Sequence, residues 1–387
     1  MKILIWDKGL PLKNTGGPSG YLWNIKKYLQ NTNDTDISFF SDYFDVKKGA
    51  KHPLVRLILG ICYLLNLKYL SKIIIVYHYR GALSRAEKEL LKRYEFVHFH
   101  TLSAACGYNS LMHKLGIKTI LTVHSPEPII DEINSSDKIA ISNEKRNYYI
   151  AKEIKIMNSV DYLMFPVKGA LECYTTASEL YAKFLDKKIK EHKIFYVPTA
   201  LPEEEKTRPE HYLVKYNIKN SAKKICYVGR HNTIKGYEYL KQIAPKVWEI
   251  APDTYFIIGG KQEDSLPVND SRWIELGWVN TTSLLQEVDV FILPNQQTYF
   301  DIIALEILRS GTPLITTLTG GNNYLSEINN GGITFIPYNN ADKAVTAIID
   351  TIQKDIYGKK ARLLYEENFT MPQYIKKYKE GINHLQV

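Results

Sequence analysis

Residues Thr298 to Gly321 read TYFDIIALEILRSGTPLITTLTGG, and this stretch decides the fold. The apolar run Val288 to Leu293, VDVFIL, ends just upstream and has the length and composition of a buried strand. A loop follows, then a helical pattern carrying Glu306, a second short apolar run and a glycine turn. A helix that starts just past a parallel strand points its unpaired N–H groups and positive dipole end into the crevice beyond the strand ends. That is where a phosphate-bearing ligand is favoured. Glu306 falls about one turn into the helix, in reach of hydroxyls on a sugar attached to such phosphates, although a carboxylate in the first turns of any helix looks the same.

The same pattern extends through the second half of the chain. The segment KKICYVGRHNTIKGYEYLKQIAPKVWEI predicts a strand from Lys224 to Val228, a loop GRHNTIKG and a helix from about Gly236. Arg230 and Lys235 flank the helix start, where two cations are placed to clamp a diphosphate. A solvated basic loop has the same composition. Further strands are expected at Tyr255 to Ile258, Trp273 to Leu276, Thr312 to Thr316 and Gly332 to Pro337. Strands alternate with helices throughout, the signature of a Rossmann-like parallel sheet. The tail, FTMPQYIKKYKEGINHL, reads as a polar amphipathic helix.

The first half repeats the alternation. A strand over Lys2 to Trp6 leads into a loop with Gly16 and Gly17 and a helix on which Tyr21, Leu22, Ile25, Tyr28 and Leu29 fall at helical spacing. The two glycines allow backbone N–H groups to approach a phosphate or sugar, as they also allow an ordinary turn. Three strands are expected at Ile73 to Tyr77, Phe96 to His100 and Thr119 to Val123. The third runs into TVHSPEP, which sets His124 at a carboxyl strand end, where open parallel sheets bind ligands. His98 and His100 share one face of the preceding strand, and His98 reads as structural. Residues 156–166 and 193–200 hold the last two strands, and the interdomain linker is placed at Thr199 to Pro209.

A length of 387 residues implies about two domains, taken as 1–200 and 201–365 with a C-terminal helix over 366–387. Hydrophobic content of 45% and charged content of 24% describe a globular chain rather than a disordered one. Cys62, Cys106, Cys173 and Cys226 form no CxxC pair, so neither a zinc knuckle nor a disulfide framework is expected, and a reducing cytoplasm fits. The start, MKILIWDKGL, lacks the length and cleavage site of a signal peptide. The net charge of +9 is uneven: residues 1–200 hold 29 Lys and Arg against 19 Asp and Glu, the remainder 21 against 22. The basic half suits an anionic partner, a membrane surface among them, or simply a solvated face. Lys51 to Lys72 carries Leu57, Ile58, Ile61, Leu64, Leu65 and Leu67 between basic ends and reads either as a membrane-interface helix or as a buried helix of an α/β domain. The basic residues lack the aromatic interleaving of a nucleic-acid module, so no nucleic-acid partner is expected.

Taken together, GG in the first loop, HSPE after the third expected strand, GRxxxxKG at the start of the second domain and the ALExLxxGTPLI block resemble the retaining glycosyltransferases of family 4 (glycosyl transferases group 1). The resemblance implies a GT-B fold, α/β, with two Rossmann-like domains facing across a cleft, hinged near residues 199–209, and a final helix crossing back onto the first domain. It implies that Gly16 and Gly17 abut the donor phosphate and sugar, that His124 contacts the transferred sugar, and that Arg230 and Lys235 bind the diphosphate. Glu306 corresponds to the carboxylate on the nucleotide ribose. Backbone amides around Ile303, Ala304 and Leu305 complete the phosphate site, and the loop at Trp278 and Val279 lies where the family packs the base. The pattern departs at two positions: Thr298 stands where the family has a first Glu, and Asp301 where a glycine is usual. Thr298 or Asp301 then contacts a different donor sugar, or transfer is impaired.

The expected activity is retaining, metal-independent transfer of a hexosyl-type sugar from a nucleoside diphosphate donor, a UDP-sugar, to a hydroxyl of a glycan or lipid-linked oligosaccharide in cell-surface polysaccharide synthesis. No cofactor is expected, and the chain is placed in the cytoplasm at the inner face of the membrane. The rival readings are a non-catalytic GT-B subunit that binds a partner or glycan, and a nucleotide-sugar epimerase.

Overall fold

The computed structural model describes residues 1–13, 17–32, 34–45, 53–203, 210–219, 221–262, 265–354 and 357–385. The chain divides into two compact units, the first comprising Met1–Phe165, Cys173–Val197 and Tyr378–Val387, the second Pro166–Glu172 and Pro198–Lys377.

The first unit is built on β1 (Ile3–Trp6), β2 (Ile37–Phe39), β3 (Phe96–Phe99), β4 (Lys118–Leu121), β5 (Tyr162–Phe165) and β6 (Ile194–Tyr196). They form one parallel sheet in the order β2-β1-β3-β4-β5-β6. ILIW in β1 and FVHF in β3 are buried at every position, as strands covered on both faces require. The helices are α1 (Gly17–Thr32), α2 (Pro53–Leu64), α3 (Lys68–Tyr77), α4 (Arg85–Leu91), α5 (Leu102–His113), α6 (Ile129–Asp137), α7 (Asn143–Ser159), α8 (Glu172–Thr175) and α9 (Glu179–Lys190). Ser84, Thr101, Ser142 and Ser178 open α4, α5, α7 and α9 by accepting backbone N–H bonds at their hydroxyls.

Two expectations fail here. Ile73 to Tyr77 is not a strand but the second half of α3. Ile73 and Tyr77, four residues apart, are its buried positions, so the helical period wins over the β-branched composition. Lys51 to Lys72 is likewise not one helix: α2 and α3 are separated at Asn66, which takes φ 54° and ends α2. Lys51 lies outside the described residues. The short strand β2 was not foreseen, three residues being too few to show a period.

Glu153 on α7 ties this unit's helices together. It is buried and accepts Tyr77 Oη and Tyr181 Oη at 2.6 Å, together with the backbone N–H groups of Ile129 and Ile130 at the start of α6. Burial raises its pKa, opposed by these four hydrogen bonds.

The second unit holds β7 (Lys223–Val228), β8 (Thr254–Gly259), β9 (Trp273–Gly277), β10 (Val290–Leu293), β11 (Leu314–Thr317) and β12 (Ile333–Ile336). These form a parallel sheet in the order β12-β11-β10-β7-β8-β9. Its helices are α10 (Tyr237–Ile250), α11 (Thr281–Leu285), α12 (Ile302–Ser310), α13 (Asn322–Glu327), α14 (Ala341–Gln353), α15 (Tyr357–Asn368) and α16 (Met371–His384). One core packs Tyr237, Leu240 and Val247 of α10 with Val345 and Ile348 of α14 over Ile225, Phe256 and Ile292. This strand order is the doubly wound Rossmann one, with its switch point between β7 and β10.

The residues of α16 from Tyr378 onward belong to the first unit. There Tyr378 Oη bonds His98 Nδ1 at 2.8 Å, Lys379 holds Asp34 and Asp36 at 2.7 Å each, and Gly381 packs on Phe195.

Candidate functional site

A cavity of about 250 Å³ opens at the switch point of the second unit, between the carboxyl ends of β7 and β10 and the start of α12. Tyr227, Val228 and Gly229 line it from β7, Leu293 and Asn295 from β10, Asp301, Ile302 and Ile303 from the head of α12, and Lys235 from the loop before α10. The loop fixes Lys235 through its own backbone: Lys235 N–H donates to Asn232 Oδ1 at 3.0 Å and Gln296 N–H to Ile234 O at 2.9 Å. Gly236 must be glycine, with φ +74° and a Cβ that would sit 1.8 Å from Pro294 O.

Asp301 precedes α12 at the N-cap position with φ −74° and ψ 124°, yet its side chain caps nothing. The carboxylate turns to Lys235 Nζ, 2.8 Å from both oxygens, and accepts Asn295 Nδ2 at 2.7 Å. The cation expected to face a diphosphate is therefore already paired with a carboxylate in the cavity wall. Asn295 is fully buried, and its Oδ1 has no hydrogen-bond partner among the described residues. Sequence reasoning missed Asn295; its only signal is a polar residue two positions past the end of β10.

Thr298 is also buried, and its Oγ1 has no partner among the described residues. The glycine turn closes over its backbone. Gly321 N–H donates to Thr298 O at 3.1 Å, and a Cβ on Gly320, which has φ +50°, would lie 1.9 Å from that same oxygen. Glu172, unforeseen from the sequence, secures the turn: Oε2 accepts Gly320 N–H at 3.0 Å and Oε1 accepts Thr319 Oγ1 at 3.3 Å. His231, within the GRHNTIKG loop, is buried with neither ring nitrogen hydrogen-bonded among the described residues and stacks on Tyr237 at 4.3 Å.

Of the remaining expected residues, Glu306 is half-buried in the second turn of α12, and Ala304 and Leu305 are buried in its first. Arg230 is exposed and does not line the cavity. Val279 is buried against Gly259, whose Cβ would meet it at 2.8 Å, while Trp278 is 84% exposed. The structure thus gathers Lys235, Asp301 and Ile303 around one cavity and leaves Arg230, Thr298 and Val279 out of its lining.

In the first unit Gly17 opens α1, exposed, with φ +74°, and Gly16 lies outside the described residues. His124 follows β4 and keeps an accessible edge. Its Nε2 lies 3.0 Å from His100 Nδ1, and its ring packs on Tyr21 at 5.0 Å. His98 stacks on His100 at 4.0 Å and is held by Tyr378 Oη at Nδ1 and Thr122 Oγ1 at Nε2. The two bonds confirm His98 as structural. Burial lowers the pKa of all three, that of His124 to about 4, and the proximity of like-charging neighbours lowers His98 and His100 further. Burial thus favours the neutral form of all three rings, which suits His124 to hydrogen bonding rather than to carrying a positive charge.

Among the described residues, no three His, Cys, Asp or Glu side chains cluster as metal ligands, and no helix is long and apolar enough to cross a membrane.

Comparison with known proteins agrees with this geometry. Residues 222–354 match the family model described as Glycosyl transferases group 1. An uncharacterized 41.2 kDa protein in the cps region of Klebsiella pneumoniae is 24% identical over 264 residues, which cover 65% of this chain and 68% of that one. The lipopolysaccharide outer core galactosyltransferase WaaB, in its apo form, superposes with a TM-score of 0.60 at 13% identity over 99% of both chains. Anabaena HepE in complex with UDP and glucose gives 0.58 at 12% identity, again over 99% of both. At such identities the likeness establishes the fold. The chain has the GT-B fold, and residues 222–354 of its second unit are similar to the glycosyl transferases group 1 family.

Proposed function

We propose that this protein transfers a sugar, of hexosyl type, from a nucleoside diphosphate donor, a UDP-sugar, to a hydroxyl of a glycan or lipid-linked oligosaccharide, with retention at the anomeric carbon. The observation that carries the reading is Lys235 in the wall of the switch-point cavity, facing the head of α12 inside a glycosyl transferases group 1 domain. Departure of the diphosphate builds negative charge on its terminal phosphate. Lys235, Arg230 and the first N–H groups of α12, at Ile303 to Leu305, meet that charge, while the acceptor hydroxyl attacks from the same face. Glu306 is assigned to the nucleotide ribose, the loop at Val279 to the base, Gly16 and Gly17 to the donor phosphate and sugar, and His124 to the transferred sugar. The chemistry asks for no metal and no cofactor, and we place it in the cytoplasm, in the assembly of cell-surface polysaccharide. The cps-region relative and the lipopolysaccharide galactosyltransferase neighbour support that setting.

One observation favours a second reading. Lys235 is neutralised by Asp301, and Thr298 is buried where the family pattern has a carboxylate. Both fit a GT-B subunit that binds a partner or glycan without transfer.

A donor panel with mass spectrometry of the products separates the two. A glycosylated acceptor together with free UDP supports transfer, and α-configured product from an α-linked donor supports retention. Unchanged donor and acceptor across the panel would support the non-catalytic subunit, and conversion of the donor sugar without acceptor would support an epimerase. Activity that survives a chelator and is not raised by divalent cations supports metal independence.

A further inference from the structure

Among the described residues, the helical hairpin formed by α2 and α3 carries the most exposed large hydrophobic side chains of the first unit. Leu57, Tyr63, Leu64 and Leu65 are 62%, 86%, 81% and 63% exposed, and Ile61, Leu67 and Leu70 are exposed beside them. The turn between the helices gathers Tyr63, Leu64, Leu65 and Leu67 at one tip: Asn66 N–H donates to Tyr63 O at 3.1 Å and Leu67 N–H to Cys62 O at 2.8 Å, which ends α2 sharply. The base of the hairpin is secured by Val55, Cys62, Ile73 and Tyr77, all buried. Tyr69 Oη bonds Asn134 Oδ1 at 3.1 Å and Lys72 Nζ bonds Asp137 Oδ1 at 2.6 Å, which fastens α3 to α6. A fixed base and an apolar tip in water form an exposed patch of the kind that marks an interaction site.

Charge identifies the partner. From residue 46 to residue 86 the sequence contains eight Lys and Arg and not one Asp or Glu. Arg56 and Lys68 flank the exposed leucines on the hairpin itself; of the carboxylates packed against α3, Glu153 is buried on Tyr77, Asp137 is paired with Lys72 and Glu132 on α6 is exposed. Exposed leucine and tyrosine on a hairpin whose own charged side chains are all cations match a surface that is apolar within and anionic at its face.

We propose that the α2–α3 hairpin docks this protein on an anionic lipid bilayer, with Tyr63, Leu64 and Leu65 entering the acyl boundary and Arg56 and Lys68 meeting lipid phosphates. The hairpin is a tip that inserts, rather than a single helix lying in the interface. The hairpin shares no residue with the donor cavity and belongs to the other unit, so the proposal stands or falls independently of the transfer reading, and it favours a membrane-borne acceptor.

Flotation of the full chain with phosphatidylcholine vesicles, with and without phosphatidylglycerol, tests this. The protein is expected to float with the phosphatidylglycerol vesicles at low salt and to be released as salt rises. Leu64→Glu with Leu65→Glu is expected to weaken partitioning about tenfold or more while leaving thermal stability and UDP binding unchanged. Failure of the native chain to float at low salt would overturn the proposal, as would wild-type flotation by the double variant or equal binding to vesicles without anionic lipid. A concentration-dependent dimer that the double variant abolishes, with no flotation, would overturn it in favour of a second copy of this chain as the occupant.

Discussion

Lys235 Nζ stands 2.8 Å from both carboxylate oxygens of Asp301 across the mouth of the switch-point cavity, although the two residues are 66 positions apart in sequence. The pair places an acid at the head of α12, where a diphosphate would otherwise find only N–H groups and a cation. Both side chains are mostly buried, so the interaction is screened less than a surface pair.

The first prediction concerns this acid. Asp301→Asn keeps a side chain for Asn295 to hold but removes the charge that repels a diphosphate and occupies Lys235. Calorimetric titration with UDP should show binding about tenfold tighter than wild type, an electrostatic effect of about 1–2 kcal/mol. Weaker binding of the UDP-sugar, with UDP itself unaffected, would instead assign Asp301 to a hydroxyl of the donor sugar.

Thr298 gives a second prediction, because its hydroxyl is buried without a partner among the described residues. Thr298→Val should raise folding stability by about 1–2 kcal/mol in urea unfolding, since it removes a buried hydroxyl that makes no hydrogen bond among the described residues. If Thr298 contacts the donor sugar once it is bound, the same variant raises the donor KM about tenfold. An unchanged KM would remove Thr298 from the site.

Gly236 carries the third. Gly236→Ala combines an unfavourable positive φ with a Cβ 1.8 Å from Pro294 O, so the loop that aims Lys235 must shift. A loss of about 2–4 kcal/mol in chemical unfolding is expected, with UDP affinity falling alongside it. A stable variant with native affinity would contradict the account of the loop.

The fourth concerns pH. His98, His100 and His124 all have pKa values below the ordinary value of about 6.5, His124 at about 4. Folding therefore favours their neutral forms. The contribution of His124 to stability is whole above pH about 6.5 and is lost as pH falls from there through about 4, and those of His98 and His100 are lost in the same direction. Asp7 and Glu153, whose pKa values are raised by burial, act in the opposite sense over the acid range, so a bulk melting curve mixes the two. NMR of the histidine Cε1–H signals isolates the effect: these three should hold constant shifts from pH 7 to pH 5. Titration of His124 near pH 6.5 would contradict it.

How much of this was legible in the sequence follows from how local each feature is. The head of α12 was readable because strand, loop, helix and Gly311 at its end lie within one short stretch, and each element announces itself by period or by φ > 0. The strands of both sheets other than the three-residue β2 were readable as apolar runs, and one apolar run misled. In α3, IIIVY composes like a strand, and only its packing against α5 and α6 makes it helical. Lys235 and Arg230 look equivalent in GRHNTIKG, but the loop's backbone bonds turn one into the cavity and leave the other at the surface. The Lys235–Asp301 pair and the Glu172 clamp on Gly320 join residues 66 and 148 positions apart. No local pattern encodes such a contact; it appears only when the sheet order has been set.

The central claim is that Lys235 and the head of α12 hold the diphosphate of a nucleotide-sugar donor. The most direct measurement compares sugar transfer from the donor panel, and UDP affinity, for the native chain and for Lys235→Ala. The account predicts transfer by the native chain, with turnover falling about 10²–10³-fold and UDP affinity falling in parallel when Lys235 is removed. Turnover and UDP affinity that survive Lys235→Ala nearly unchanged would contradict it.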